Sequence, residues 1–376
     1  MSAYFDHNAT TPMDPRVLEA MLPFFIERHG NPSSAHGHGR QAKEAVAGAR
    51  RQVAELLGGR PEEILFTASG TEANNAVIYA VAEAYDFAGH LVFPVLEHPS
   101  VRRAVEWAAG RGMTFTEIDP DPSGRITAQA VADVLQDDTR LVCLMAANNE
   151  LGTIQPVAEV AALCRERGIP VLCDAVQAVG KVPVDVEALG IDYLCLGGHK
   201  FHGPPGVAAL WVRQGAPMAS LLVGGNQEGG MRASTENVPS VIGLGKAAEL
   251  ARVELAERQT KLAALRDRFE AGLADIPGAV VHCADVERLP HTCHVALLGR
   301  SGHQLMLQLD EMGFAVSTGS ACHSGKPQPS RVLVRMGVDE AESLASLRVS
   351  FGITNTPEEV DGLLAALKKA PVPVGV

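Results

Sequence analysis

The chain has 376 residues, 46% hydrophobic and 20% charged, with a formal net charge of −12 and a mean hydropathy of +0.07. Such a length allows two to three structural units with an ample core, and the balance excludes disordered, collagenous and disulfide-scaffold classes. An acidic chain with no apolar run of about 18 residues is a poor match for nucleic acid or membrane, so neither partner is expected. Seven cysteines, an odd count without close pairing, indicate a reducing compartment. Residues 1–7 carry neither a basic nor an apolar leader region, so a cytoplasmic location is expected.

In chain order, residues 41–57 have a helical pattern that stops at Gly58-Gly59. From about residue 60 to 215, short apolar runs alternate with helical stretches. Strands are expected at 63–67, 90–95, 140–146, 170–174, 193–197 and 207–212, and helices at 71–85, 100–110 and 156–167. The runs alternate little, as buried parallel strands do, so this part reads as an α/β layer. Residues 243–273 read as one long helix linking two units, followed by short strands at 279–282 and 294–298 among helices. Thr356-Pro357-Glu358-Glu359 supplies an N-cap, a first-turn proline and a capping box for the last helix, and the tail 370–376 is expected to fray.

Lys200 lies between two apolar strands in Gly197-Gly198-His199-Lys200-Phe201-His202-Gly203-Pro204-Pro205-Gly206. Desolvation against a sheet would lower its pKa and suit it to nucleophilic work; the plain alternative is an exposed loop lysine. Asp174 ends a buried strand, where ligands sit in open α/β sheets, with Gln177 three residues on; alternatively it caps the next helix. Thr67-Ala68-Ser69-Gly70-Thr71-Glu72 joins a strand to a helix and could cradle a phosphate, or could be an ordinary helix cap. Lysine, strand-end carboxylate and phosphate cradle together are what pyridoxal phosphate needs: a Schiff-base partner, a counter-charge for the pyridine nitrogen, and an anion site.

On these residues the chain resembles the cysteine desulfurases of the class V aminotransferase type. The likeness runs almost end to end, through Asp6-His7-Asn8-Ala9-Thr10-Thr11-Pro12, Gly30-Asn31-Pro32-Ser33-Ser34 and Ala147-Asn148-Asn149-Glu150-Leu151-Gly152. It continues through Asp174-Ala175-Val176-Gln177, Gly198-His199-Lys200, Arg232, Ser234-Thr235-Glu236-Asn237, Ser317-Thr318-Gly319-Ser320-Ala321-Cys322 and Leu347-Arg348-Val349-Ser350-Phe351-Gly352. The resemblance implies a mostly parallel seven-stranded sheet between helices, the fold type I of aminotransferases, plus a smaller α+β domain. The large domain would span 14–250, and the small one 1–13 and 251–376.

The same resemblance implies roles. Lys200 would bind the cofactor, Asp174 would face its pyridinium nitrogen and Gln177 its phenolic oxygen. His98 would stack on the ring and shuttle protons. Gly70, Thr71 and His199 would hold the phosphate, joined by Thr235 from a neighbouring subunit of a homodimer with shared sites. Asn149 and Arg348 would orient the carboxylate of L-cysteine. Cys322 would take the sulfur as a persulfide, helped to ionise by His98 or a polar loop, and a mobile loop would deliver it to an acceptor such as an iron–sulfur scaffold. Rival readings are another pyridoxal phosphate enzyme of this fold, an aminotransferase or selenocysteine lyase, and a non-catalytic sulfur-assembly platform.

Three departures from the family pattern stand out. Gly197 replaces a usual Ser or Thr, Arg232-Ala233-Ser234-Thr235 replaces Arg-Ser-Gly-Thr, and Ala68-Ser69 replaces Ser-Gly; Ser69 or Ser234 could supply replacement hydroxyls. Cys143, Cys173 and Cys195 read as core. His29, His36 and His38, His282-Cys283, and His291-Thr292-Cys293-His294 lack metal-site spacing, so no metal is expected. Residues 243–248 mimic a dinucleotide fingerprint without the preceding strand, and 319–326 are one residue too long for a P-loop.

Overall fold

The computed structural model describes residues 3–319 and 328–370, so Cys322 and the tail from 371 lie outside the described residues. The strands, in chain order, are β1 (Ala3–Tyr4), β2 (Ile64–Thr67), β3 (His90–Pro94), β4 (Thr114–Ile118), β5 (Thr139–Cys143) and β6 (Val171–Asp174). They continue with β7 (Tyr193–Gly197), β8 (Ala208–Val212), β9 (Ala279–Val281), β10 (Thr292–Leu297), β11 (Phe314–Ala315) and β12 (Ser346–Ser350). The helices are α1 (Pro15–Ile26), α2 (Gly37–Leu57), α3 (Gly70–Ala84), α4 (Pro99–Ala109), α5 (Ala128–Ala132), α6 (Val157–Glu166) and α7 (Val186–Leu189). After these come α8 (Val238–Val253), α9 (Leu255–Leu273), α10 (Gly302–Glu311), α11 (Arg331–Arg335), α12 (Glu340–Leu344) and α13 (Pro357–Lys369).

Seven strands form one sheet in the order β2-β8-β7-β6-β5-β3-β4, with β8 alone antiparallel to its neighbours. The expected α/β fold with a mostly parallel seven-stranded sheet is therefore present. One of the seven, β4, escapes a search for apolar runs. It is Thr-Phe-Thr-Glu-Ile at the sheet's edge, with its first two residues exposed, so only one side of its pairing needs apolar cover. Helices pack on both faces. On α2, Ala42, Val46, Ala49, Val53 and Leu57 repeat at helical spacing and are buried. That helix starts at Gly37, earlier than the pattern predicts, because the ring of His36 accepts the Gly39 N–H.

The long helix expected at 243–273 is two helices. The chain breaks at Glu254, whose carboxylate accepts bonds from Arg16 and Arg258 and so anchors the turn to α1 and α9. The glycines at 243 and 245 are contact points within α8. A Cβ on Gly243 would lie 2.5 Å from Met21 Sδ, and one on Gly245 2.6 Å from Ala49 Cα, so bare backbone lets α1 and α2 pack close.

Both chain ends share a separate apolar cluster that includes Phe5, Leu262, Phe269, Val295, Leu347 and Phe351. It covers the three-stranded antiparallel sheet β12-β10-β9, while β1 and β11 pair in parallel beside it. The capping box at Thr356 and Glu359 starts α13 as expected. Strand β12, which runs through Leu347, Arg348 and Val349, brings Arg348 to the face shared with the large sheet through Asn149 and Asp6.

Candidate active site

A cavity of about 260 Å³ opens at the carboxyl ends of the parallel strands. Asp174 is the last residue of β6, His98 follows β3, His199 and Lys200 follow β7, and Gly70 and Thr71 begin α3 after β2. These residues line the cavity together with Ser69, Ser100, Met145, Asn149, Val176 and Gln177. The sheet's topology thus gathers residues up to 131 positions apart in the chain at one place, as open parallel sheets do.

Lys200 Nζ donates to the carbonyls of Asn8 and Ala9, at 2.6 and 2.7 Å, in the segment between β1 and α1. Burial, and then the Arg348 guanidinium, lower its pKa from the ordinary lysine value to about 8. It is therefore a desolvated amine and not an exposed loop lysine, and a sizeable neutral fraction is available to a carbonyl electrophile at neutral pH.

Asp174 is buried, and its carboxylate accepts the amide of Asn74 at 2.7 Å and the Val176 N–H at 3.0 Å. Both donors are neutral, so its cationic counterpart is missing from the protein groups bonded to it. A cationic ring nitrogen bound in the cavity would supply that counterpart. Beside it, burial and the Asp174 charge push the Glu97 carboxyl well above the usual range, so Glu97 is held protonated while it accepts the Met145 N–H at 2.5 Å. Asn74 and Glu97 escape a sequence reading: each stands within a few residues of a recognised site position and looks like ordinary helix or turn polarity.

His98 caps α4, and its Nδ1 accepts the Ser100 N–H at 3.1 Å. Asn74 donates to Ser100 Oγ at 3.0 Å, and that hydroxyl lies 2.8 Å from the same Nδ1. With Nδ1 committed as an acceptor, neutral His98 carries its proton on Nε2, and burial keeps its pKa below the ordinary value. In this tautomer His98 presents a donor.

At the start of α3, Ser69 caps the helix by accepting the Glu72 N–H at 3.1 Å and also lines the cavity. His199 contacts Thr10 Oγ1 at 3.0 Å, and burial and the Lys200 charge lower its pKa to about 4, so it is neutral there. Thr235 and Ser234 do not join this cavity within the chain. They line a separate cleft of about 200 Å³ with Phe66, Glu228 and Arg232, where Arg232 pairs with Glu72 and Arg50 with Glu228.

Gly197 lies in extended backbone, φ −128°, and a Cβ there would make only ordinary contacts, the nearest at 3.7 Å to His199 and Val176. Gly197→Ser is therefore expected to fold unchanged and to add one hydroxyl beside His199 and Val176, two residues that line the cavity. It should tighten pyridoxal phosphate binding by about tenfold, the worth of one hydrogen bond to a charged group. A titration showing equal or weaker binding would contradict this placement.

At the other end, Arg348 Nη1 donates to the Asn149 carbonyl at 2.9 Å and Nη2 to Asp6 at 2.6 Å, while its buried Nε has no partner. Asn149 reaches the cavity itself, so Arg348 sits directly behind a cavity wall. Gln177 donates to the Asn8 carbonyl at 3.0 Å, and buried Lys181 lies 3.4 Å from its side-chain oxygen. Lys181 and Asp6 are further members of the site's surround that sequence reasoning did not single out. Cys143, Cys173 and Cys195 are buried core, as expected. Among the described residues no metal-holding cluster occurs; His29 stacks on His38 at 5.1 Å, a plain ring contact.

The family model for class V aminotransferases matches residues 3–363. The chain belongs to that family. It is 42% identical to the cysteine desulfurase IscS of Methanosarcina thermophila over 96% of this chain and 90% of that protein. It is equally similar, 42% over 96% and 90%, to the cysteine desulfurase NifS of Azotobacter vinelandii. Among solved structures, a NifS-like protein superposes with a TM-score of 0.92 at 37% identity, covering 98% of each chain. Within the family the chain therefore stands among the pyridoxal phosphate-dependent cysteine desulfurases.

Proposed function

We propose that the chain is a cysteine desulfurase that takes sulfur from L-cysteine, leaves L-alanine, and carries the sulfur as a persulfide on Cys322. The observation that carries this reading is the convergence on one cavity of a lysine with lowered pKa, a carboxylate bonded only to neutral donors and a helix start. This is a site for pyridoxal phosphate in a chain whose relatives are cysteine desulfurases.

The residues fit that cofactor. Lys200 would hold it covalently, Asp174 would pair with its ring nitrogen, and Gly70, Thr71 and His199 would take its phosphate. When bound, it supplies an electron sink for the substrate's α-carbon. The chain's own groups do the rest. Arg348 and Asn149 bind and orient the substrate carboxylate. Lys200 Nζ removes the α-proton, and the Asp174 carboxylate would face the ring with the protonated Glu97 carboxyl beside it. Cys322 attacks as a thiolate: its sulfur bonds to the substrate's sulfur while the substrate's bond between β-carbon and sulfur breaks, the β-carbon takes a proton, and the α-carbon regains the proton held at Lys200 Nζ to give alanine.

Thr235, in a cleft of its own, supports a homodimer in which each copy completes the other's phosphate site. The acceptor is a sulfur-carrying or iron–sulfur-assembling protein, and the free, buried thiols Cys143, Cys164, Cys173 and Cys195 support a reducing, cytoplasmic setting. Incubation with L-cysteine and a reducing thiol should release alanine and sulfide in equal amounts. Cys322→Ala should lose both while keeping the cofactor's visible band; alanine release that survives this substitution would contradict the role of Cys322 and favour a selenocysteine lyase or another amino-acid enzyme of this fold.

A further inference from the structure

Asn8, between β1 and α1, enters the site above only through its backbone carbonyl. That carbonyl accepts Lys200 Nζ at 2.6 Å and Gln177 Nε2 at 3.0 Å, one donor for each of its lone pairs. The Asn8 side chain, 1% exposed, makes a second set of bonds. Its Nδ2 donates to the Asn149 carbonyl at 3.1 Å and to Thr292 Oγ1 at 3.0 Å, and that hydroxyl returns a longer bond of 3.3 Å to Asn8 Oδ1. The Asn8 N–H donates to Ser350 Oγ at 2.9 Å.

Chemistry fixes the sense of this amide. A carbonyl only accepts, so the nitrogen of Asn8 and not its oxygen must face Asn149. The Asn149 carbonyl also accepts Arg348 Nη1 at 2.9 Å, so both of its lone pairs are engaged as well. The two shared carbonyls set Asn8 between the two ends of the site. At one end are Lys200 and Gln177; at the other are Asn149, which lines the cavity, and Arg348 behind it. Asn8 itself does not line the cavity.

The anchors of Asn8 belong to paired strands. Thr292 and Ser350 are direct cross-strand neighbours in the β10–β12 pairing. Arg348 stands two residues before Ser350 on β12, and so on the same face of that sheet. Taking away the Asn8 side chain would leave the Asn149 carbonyl with one donor instead of two, while the Asn8 carbonyl stays in the backbone. The peptide that carries the Asn149 side chain to the cavity would then be less firmly held.

We propose that Asn8 is a positioning residue that sets Asn149 and Arg348 relative to Lys200, so that a substrate carboxylate is held at a fixed reach from the Lys200 amine. The identity of that carboxylate, L-cysteine's, rests on the desulfurase reading. The demand on such a strut is strict, because a misplacement of about 1 Å between an anchored substrate and a reacting group costs on the order of a hundredfold in rate. Asn8 meets it with one short side chain, both of whose amide protons are bonded to groups fixed by other strands and turns.

The test compares two probes on the holoenzyme by calorimetry. β-Mercaptopropionate has the carboxylate and thiol of L-cysteine without its amine, and β-mercaptoethanol lacks the carboxylate as well. The variants are Asn8→Ala and the similarly sized Asn8→Leu, which keeps the question open to test if the truncated protein does not fold. Thr292→Val is the control, since it removes the Asn8–Thr292 bond and leaves the Asn8–Asn149 bond in place. The wild type should bind β-mercaptopropionate more tightly than β-mercaptoethanol. Both Asn8 variants should cut that preference about tenfold, the worth of one buried hydrogen bond, and Thr292→Val should keep it although its thermal midpoint also falls. A preference unchanged in the Asn8 variants, or lost equally in Thr292→Val, would mean that Asn8 serves packing alone and would overturn the proposal. Binding is read without turnover, so a wild type that prefers the carboxylate probe yet forms no alanine from L-cysteine would overturn the desulfurase reading and leave Asn8 in its role.

Discussion

Lys200→Ala is expected to reduce alanine release from L-cysteine by at least about 10³-fold, the upper part of the range for loss of a positioned acid–base group. The loss combines two functions in one atom. On the proposed function, Lys200 Nζ would be both the nucleophilic amine of the cavity and the acceptor of the substrate's α-proton. Lys200→Arg separates these from simple charge, because it keeps a cation near the carbonyls of Asn8 and Ala9 yet cannot act as a neutral amine, and it should be as inactive as the alanine variant. The lowered pKa gives a further signature. Cofactor loading of the apoprotein should accelerate about tenfold per pH unit below the Lys200 pKa of about 8 and then level off, since only the deprotonated amine attacks. A loading rate independent of pH between about 6 and 8 would contradict the assignment.

Asp174→Asn carries the second large effect. The change is isosteric and keeps an acceptor for the Val176 N–H, so the fold should survive, but it removes the charge that would face the cofactor's ring nitrogen. Turnover should fall on the order of 10²–10³-fold, the scale seen when one aligned electrostatic group is lost from a reacting centre. The bound cofactor's visible band should shift while its stoichiometry stays near one per chain. The neighbouring Glu97 gives an internal control. Its carboxyl is pushed up by burial and by the Asp174 charge, so in Asp174→Asn it should titrate closer to the ordinary range. Near-normal turnover in Asp174→Asn would place the ring nitrogen elsewhere.

The parts of this site that could be read from the sequence share a physical cause. Lys200, Asp174 and Thr71 sit where a strand ends or a helix begins, and those boundaries are marked locally by apolar runs, glycine and small polar residues. Asn74, Glu97 and Lys181 carry no such mark. Their roles come from long-range burial, as when α3 brings Asn74 to within 2.7 Å of Asp174 a hundred residues away. Strand β4 was hidden because an edge strand needs little apolar surface. The helix break at Glu254 was hidden because residues on both sides favour helix, and the turn is held by Arg16 from the far end of the chain. Histidines 282 and 294 looked like failed metal ligands in sequence, since antiparallel pairing of β9 and β10 was needed to bring their rings together.

The most direct measurement of the central claim is a single turnover without a reducing thiol. One equivalent of L-cysteine per active site is added to the holoenzyme, and the digested protein is weighed peptide by peptide. The account predicts one extra sulfur atom on the peptide bearing Cys322, with an equal amount of free alanine, and no gain on the peptides bearing Cys143, Cys173 or Cys195. Alanine formed with the sulfur on a different cysteine, or with none retained, would contradict it.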